Sequence, residues 1–178
     1  MAKILIVYYS KGGTTRTVAQ RLARESQADL VEIEDVNERK GVMGYMRSVL
    51  EAAFHVAGNI RVTPLRDDYD LVVIGTPIWA WNMSSPARAF VSQRRGALRR
   101  VAFFCTYGGS GATKVLHDLE TLSGLQPVGT LALRTEDVKR GKTDSNLLQF
   151  AAQIKIAAQA PAQPKGGKGV EGKTLAHS

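Results

Sequence analysis

Residues Ile4–Tyr9 (I-L-I-V-Y-Y) form an unbroken apolar, β-branched and aromatic run that stops at Ser10. Six such residues with no polar alternate describe a strand covered on both faces, the pattern of a parallel sheet held between layers of helices. The loop Ser10-Lys11-Gly12-Gly13-Thr14-Thr15 follows at once. A helical period then opens at Thr15, with Val18, Ala19 and Leu22 on one face. A buried strand that delivers hydroxyls and glycines to a helix start gathers backbone N–H groups and the positive end of the helix dipole around one point. That arrangement suits a phosphate. The spacing is not G-x-G-x-x-G, so the dinucleotide fingerprint is absent.

The alternation continues along the chain. Strands are predicted at Leu30–Ile33, Leu71–Ile74, Val101–Cys105 and Val128–Leu133. Helices are predicted at Thr15–Ser26, Gly41–Ala57, Pro86–Gln93 (capped by Ser84 or Ser85), Ala112–Ser123 (closed by Gly124) and Thr143–Ala158. Five strands alternating with five helices predict an α/β fold, a three-layer doubly wound five-stranded parallel sheet. In such sheets ligands sit beyond the carboxyl ends of the strands, so the loops after strands one, three and four are the ones to read. Residues 1–160 are expected to be one domain. Residues 161–178, rich in Pro, Gly and Lys, read as a disordered basic tail.

The loop after Ile74 runs Gly75-Thr76-Pro77-Ile78-Trp79-Ala80-Trp81-Asn82 and carries both tryptophans of the chain. Large flat side chains at the mouth of a parallel sheet can stack on a flat ligand, or can cover the next helix as core. The loop after Cys105 runs Thr106-Tyr107-Gly108-Gly109-Ser110-Gly111. Its glycines let the backbone approach a ligand closely with N–H groups free to donate. A phosphate cradle, a stacking platform and a second aromatic beside backbone donors together suit a flat heteroaromatic ring on a phosphorylated chain.

These three motifs, in this order, resemble the flavodoxin family over Lys3 to about Ala160. Y-Y-S-K-G-G-T-T is similar to its phosphate loop, Y-D-L-V-V-I-G-T-P-I-W-A to its third strand and ring loop, and F-F-C-T-Y-G-G-S-G to its second ring-contact loop. The resemblance implies the strand order 2-1-3-4-5 and FMN as cofactor. It implies a phosphate held by Ser10, Lys11, Gly12, Gly13, Thr14 and Thr15. It further implies that Thr76, Pro77, Ile78, Trp79, Ala80, Trp81 and Asn82 meet the ring on one side. Trp79 would stack, and the Ala80–Asn82 backbone would face the flavin N5. On the other side Thr106, Tyr107, Gly108, Gly109 and Ser110 would meet the ring, with Tyr107 at its second face. Gly12 stands where many members carry a third hydroxyl, so one phosphate bond would come from backbone. No long insertion splits Val128–Leu133, as in the short-chain type.

Within that resemblance the expected function is a redox protein that passes electrons through FMN to a protein partner or small electron acceptor. An NAD(P)H-dependent quinone reductase is the alternative. A non-redox binding or assembly module of the same fold is the reading from another class. The formal charge is +8, of which the tail contributes +2, and many relatives are acidic. The densest basic cluster, Arg88, Arg94, Arg95, Arg99 and Arg100, belongs to no recognised nucleic-acid motif, which disfavours a nucleic-acid partner.

Other signals carry less. No secretion signal or 18-residue apolar run is present, so a cytoplasmic protein without a membrane span is expected. Gly167–Thr174 matches a P-loop spacing, but no strand precedes it. Asn82-Met83-Ser84 matches a glycosylation sequon. His55, His117 and His177 lack metal-ligand spacing, and no metal site is expected. The single cysteine, Cys105, fits a buried strand end.

Overall fold

The computed structural model describes residues 2–36, 60–62, 66 and 68–161. The predicted helix Gly41–Ala57 and the predicted tail lie outside the described residues, apart from Pro161. The strands are β1 Ile4–Tyr8, β2 Asp29–Glu32, β3 Glu34–Asp35, β4 Ile60–Arg61, β5 Leu71–Trp79, β6 Asn82–Met83, β7 Val101–Tyr107 and β8 Thr130–Arg134. The helices are α1 Thr14–Ser26, α2 Ser85–Arg94, α3 Ala112–Ser123, α4 Thr135–Lys139 and α5 Asp144–Gln159.

The main sheet runs β2-β1-β5-β7-β8, all parallel, which is the expected 2-1-3-4-5 order counted over its five long strands. All five residues of β1 are buried. Ile4, Ile6 and Tyr8 meet Val18 and Leu22 of α1 and Phe150 and Ile154 of α5 on one face. Leu5 and Val7 meet Phe90 and Val91 of α2 and Val115 and Leu119 of α3 on the other. The run without alternation thus reflects two cores, one per face.

Strand β5 extends five residues beyond its predicted end at Ile74. Gly75-Thr76-Pro77 reads as loop punctuation, but each residue has a place in the sheet. Gly75 pairs with Tyr8 on one side and Phe104 on the other. A Cβ at Gly75 would lie 2.1 Å from the Phe104 ring, so glycine is what lets that ring lie across the strand. Pro77 pairs with Thr106 near the strand's end, where one missing N–H is tolerated. Beyond it, Ile78–Trp79 pair antiparallel with Asn82–Met83 of β6 to make a hairpin.

Helix α2 begins as predicted at Ser84, whose hydroxyl accepts from Ala87 N. Gly124 closes α3 with a left-handed φ of 70°. Within the basic cluster, Arg100 donates to the carbonyls of Ala157, Ala160 and Pro161 and so caps the end of α5. Among the described residues, no helix is long and apolar enough to cross a membrane. A cavity of about 30 Å³ at the amino end of the sheet, under Leu5, Val72, Phe90 and Leu98, has room for a water and not for a substrate.

Candidate functional site

Parallel strands β1, β5 and β7 end side by side, so the three loops singled out in the sequence leave the sheet at one edge. Contacts join each pair of loops. The Thr15 and Thr106 hydroxyls share a buried hydrogen bond of 2.8 Å, which ties the first loop to the third. Tyr9 and Trp79 meet edge to face with centroids 5.7 Å apart, which ties the first to the second. Trp81 Nε1 donates to Ser110 Oγ at 3.0 Å, which ties the second to the third.

At the first loop, Gly13 is the N-cap of α1 with φ 83° and offers no capping side chain of its own. The first turn has no acidic residue. Its N–H groups therefore present the positive end of the helix dipole outward. Ser10 is buried and its hydroxyl accepts from Arg16 N at 3.2 Å. Added Cβ atoms at Gly12 and Gly13 would meet nothing within 4 Å, so the loop is open above its backbone. Thr15 is turned inward to Thr106, whereas Thr14, Gly13 and Lys11 are half-buried.

Sequence reading missed Arg16, Tyr8 and Glu32 beside this loop. The Arg16 guanidinium grips Glu32 through Nε and Nη2 at 3.1 and 2.7 Å, and Tyr8 donates to the same carboxylate at 3.0 Å. Burial, then Glu32, pushes the Tyr8 phenol above its ordinary value. Strand β2 brings Glu32 beside Tyr8, a neighbour that no local motif announces.

At the second loop, Ala80 and Trp81 form the two-residue connection of the β5–β6 hairpin. Both take positive φ, 45° and 61°, as right-twisted strands demand of so short a connection. For residues other than glycine that conformation costs roughly 1–2 kcal/mol each. A set of side-chain contacts offsets it. Asn82 Nδ2 donates to Ala80 O at 2.9 Å. Lys114 Nζ donates to Asn82 Oδ1 at 2.9 Å and to Asp118 Oδ2 at 2.6 Å. The Trp81 indole meets Ser110 and lies against Gly111, where a Cβ would be 3.2 Å from Trp81 Cα. Trp81 remains 64% exposed, so it is not core. Asn82 is buried, which withdraws the sequon from any modifying enzyme. Thr76 is buried and its hydroxyl meets Ser84 Oγ at 3.0 Å, which seats the hairpin on α2.

At the third loop, Tyr107 is half-buried and Gly108, Gly109 and Ser110 are exposed. Gly111 caps α3 with φ 99° and no side-chain cap, so a second helix start opens near the first. Cys105 is fully buried, and burial pushes its thiol up to about 12. It is not a nucleophile at neutral pH.

Doubly wound α/β topology brings the glycine-capped helix start after β1 and the aromatic loops after β5 and β7 to one edge of the sheet, an arrangement that suits an anionic, flat-ringed ligand. A family model described as Flavodoxin matches residues 3–127, and the chain belongs to the flavodoxin family. A protein of Cupriavidus metallidurans named NAD(P)H dehydrogenase (quinone) is 30% identical over 115 residues, 62% of this chain and 55% of that protein. The chain thus spans about half the length of that curated relative. Among solved structures, the chain is similar to a flavoprotein from Lactobacillus acidophilus in complex with FMN, with TM-score 0.65 and 22% identity over 79% of this chain and 98% of that one. It is also similar to the two-electron reduced flavodoxin of Megasphaera elsdenii, with TM-score 0.53 and 17% identity over 88% and 99% of the two chains. At these identities the likeness is one of fold.

Proposed function

We propose that this chain binds FMN across the three loops and works in the cytoplasm as a redox protein, passing electrons to a partner protein or small acceptor. The observation that supports it best is the ring of three contacts, Thr15–Thr106, Tyr9–Trp79 and Trp81–Ser110, which holds the loops together at one sheet edge. The residues fit the cofactor. The glycine-capped start of α1 and the open Gly12–Gly13 backbone suit its phosphate, while Trp79 and Tyr107, both half-buried, suit its ring.

The bound flavin would supply one- or two-electron transfer. The chain's own part is to hold and orient. Ser10, Lys11, Gly12, Gly13, Thr14 and Thr15 would surround the phosphate. Thr76, Pro77, Ile78, Trp79, Ala80, Trp81 and Asn82 would form one wall. Thr106, Tyr107, Gly108, Gly109 and Ser110 would form the other. The net charge of +8 lowers the cost of adding negative charge to the site and favours an acidic partner or anionic acceptor.

The test is reconstitution with excess FMN followed by desalting. Retained flavin absorbance is the expected result. Its absence, with the fold intact, would leave the non-redox binding module as the better reading. The quinone-reductase reading draws on the curated relative's name. Steady-state NAD(P)H–quinone turnover by the isolated protein separates it from a carrier, which would turn over only with a partner protein.

A further inference from the structure

We propose that Lys114 is a positioning residue for the aromatic turn Ala80–Trp81, acting through the Asn82 side chain. It thereby sets how firmly the site holds its ligand. The ligand part rests on the FMN reading above, and the turn part does not.

The turn needs support because neither Ala80 nor Trp81 favours positive φ. Its Ala80 carbonyl is engaged by Asn82 Nδ2 at 2.9 Å. Asn82 is only 7% exposed, so both ends of its amide need partners. The far end, Oδ1, faces Lys114 Nζ at 2.9 Å. An ammonium only donates, so it selects the amide orientation that puts oxygen toward Lys114 and nitrogen toward Ala80. With the ammonium gone, Oδ1 loses its donor and only the Ala80 carbonyl still holds the amide in place. The flipped amide would set Oδ1 against the Ala80 carbonyl, acceptor against acceptor.

Lys114 is itself fixed. Asp118, one helical turn on, takes a second ammonium proton at 2.6 Å. The Lys114 side chain is half exposed, so the pair with Asp118 alone contributes little stability. The directional effect falls instead on the buried amide and through it on the turn. Trp81 then carries the constraint to the third loop through Ser110 and Gly111. One cation on α3 therefore orients two of the three loops.

The test reads the turn directly, in the protein without added flavin. The chain has two tryptophans, so Trp79→Phe leaves Trp81 as the only reporter. In that background, Lys114→Met is expected to raise the amplitude of fast Trp81 motion in time-resolved fluorescence anisotropy, and Lys114→Arg is expected to restore it. Asn82→Asp is the sharper arm. It strengthens the ion pair with Lys114 yet sets an oxygen against Ala80 O, so the turn should loosen while the pair tightens. A purely stabilising ion pair predicts the opposite. Lys114→Met should add nothing once Asn82→Ala is present.

In the wild-type background, Lys114→Met is expected to weaken FMN binding about tenfold, the loss of roughly one hydrogen bond's worth of pre-organisation. Lys114→Leu, which also removes the donor, serves if the methionine variant folds poorly by circular dichroism. Unchanged Trp81 motion in Lys114→Met, a rigid turn in Asn82→Asp, or additive effects of Lys114→Met and Asn82→Ala would each overturn the proposal. Failure of the wild-type chain to bind FMN would overturn the cofactor reading and leave the anisotropy result standing.

Discussion

Gly75 offers a sharp test of how the sheet is built. A Cβ placed there would sit 2.1, 2.4 and 2.7 Å from Cζ, Cε1 and Cε2 of Phe104, where ordinary contact is 3.4–4 Å. Phe104 is fully buried, so its ring has no room to retreat by the ångström or more required. Gly75→Ala should therefore destabilise the protein by about 3 kcal/mol, the upper end for overpacking a core. The three clashing atoms all lie beyond Cδ, and leucine has none of them. Phe104→Leu alone should cost about 2–3 kcal/mol for the three lost ring carbons, at roughly 0.8 kcal/mol per methylene equivalent. In that background the added methyl fills vacated space. The double variant should be about as stable as Phe104→Leu alone, giving a coupling of about 3 kcal/mol. Urea unfolding of the four proteins, with m values checked for constancy, measures it. Effects that add to within about 0.5 kcal/mol would refute the reasoning.

Three further outcomes are expected. Thr15→Val leaves the buried Thr106 hydroxyl without its partner at 2.8 Å and should cost about 1–3 kcal/mol, whereas Thr15→Val with Thr106→Val should come close to wild type in urea. A double variant as weak as the sum of the singles would sink that account. Burial raises the Cys105 thiol from about 9 to about 12, so above pH 9 the unfolded state sheds a proton that the folded state keeps. Stability should then fall with rising pH by up to about 1.4 kcal/mol per unit, and Cys105→Ala should flatten that slope between pH 9 and 10. An identical slope in both proteins counts against it. Arg88 Nε and Nη2 are buried without hydrogen-bond partners, and burial lowers the guanidinium's pKa despite nearby Asp118. Arg88→Met should raise the melting temperature by about 2–4 °C, a gain of about 1 kcal/mol, and a clear drop would show that the charge is compensated.

Much of this molecule is legible along the chain because the controlling interactions are local or periodic. Uninterrupted apolar runs at Ile4–Tyr9, Leu71–Ile74 and Val101–Cys105 announce strands covered on both faces. Ser84 and Gly124 mark helix ends through bonds to residues a few positions away. The loops after β1, β5 and β7 were legible as loops from their glycine, hydroxyl and aromatic composition, and the fold brings them to one sheet edge.

What sequence reading could not supply depends on residues far apart. It stopped β5 at Ile74 because Gly75 and Pro77 are breakers in isolation, whereas Phe104 and Thr106 of a neighbouring strand give both a place. It singled out Trp79 as the stacking ring without reaching what either tryptophan touches in the fold. In the fold, Trp79 meets Tyr9 and Trp81 stands exposed on a strained turn.

The chain by itself determined the class of fold and the three loops that gather at one sheet edge, because hydrophobic period and turn composition act over a few residues. Only tertiary structure decided which hydroxyls face inward, which aromatic is held outward, and that Lys114 reaches Asn82. Those contacts span 91, 29 and 32 positions and exist only once the parallel strands lie side by side.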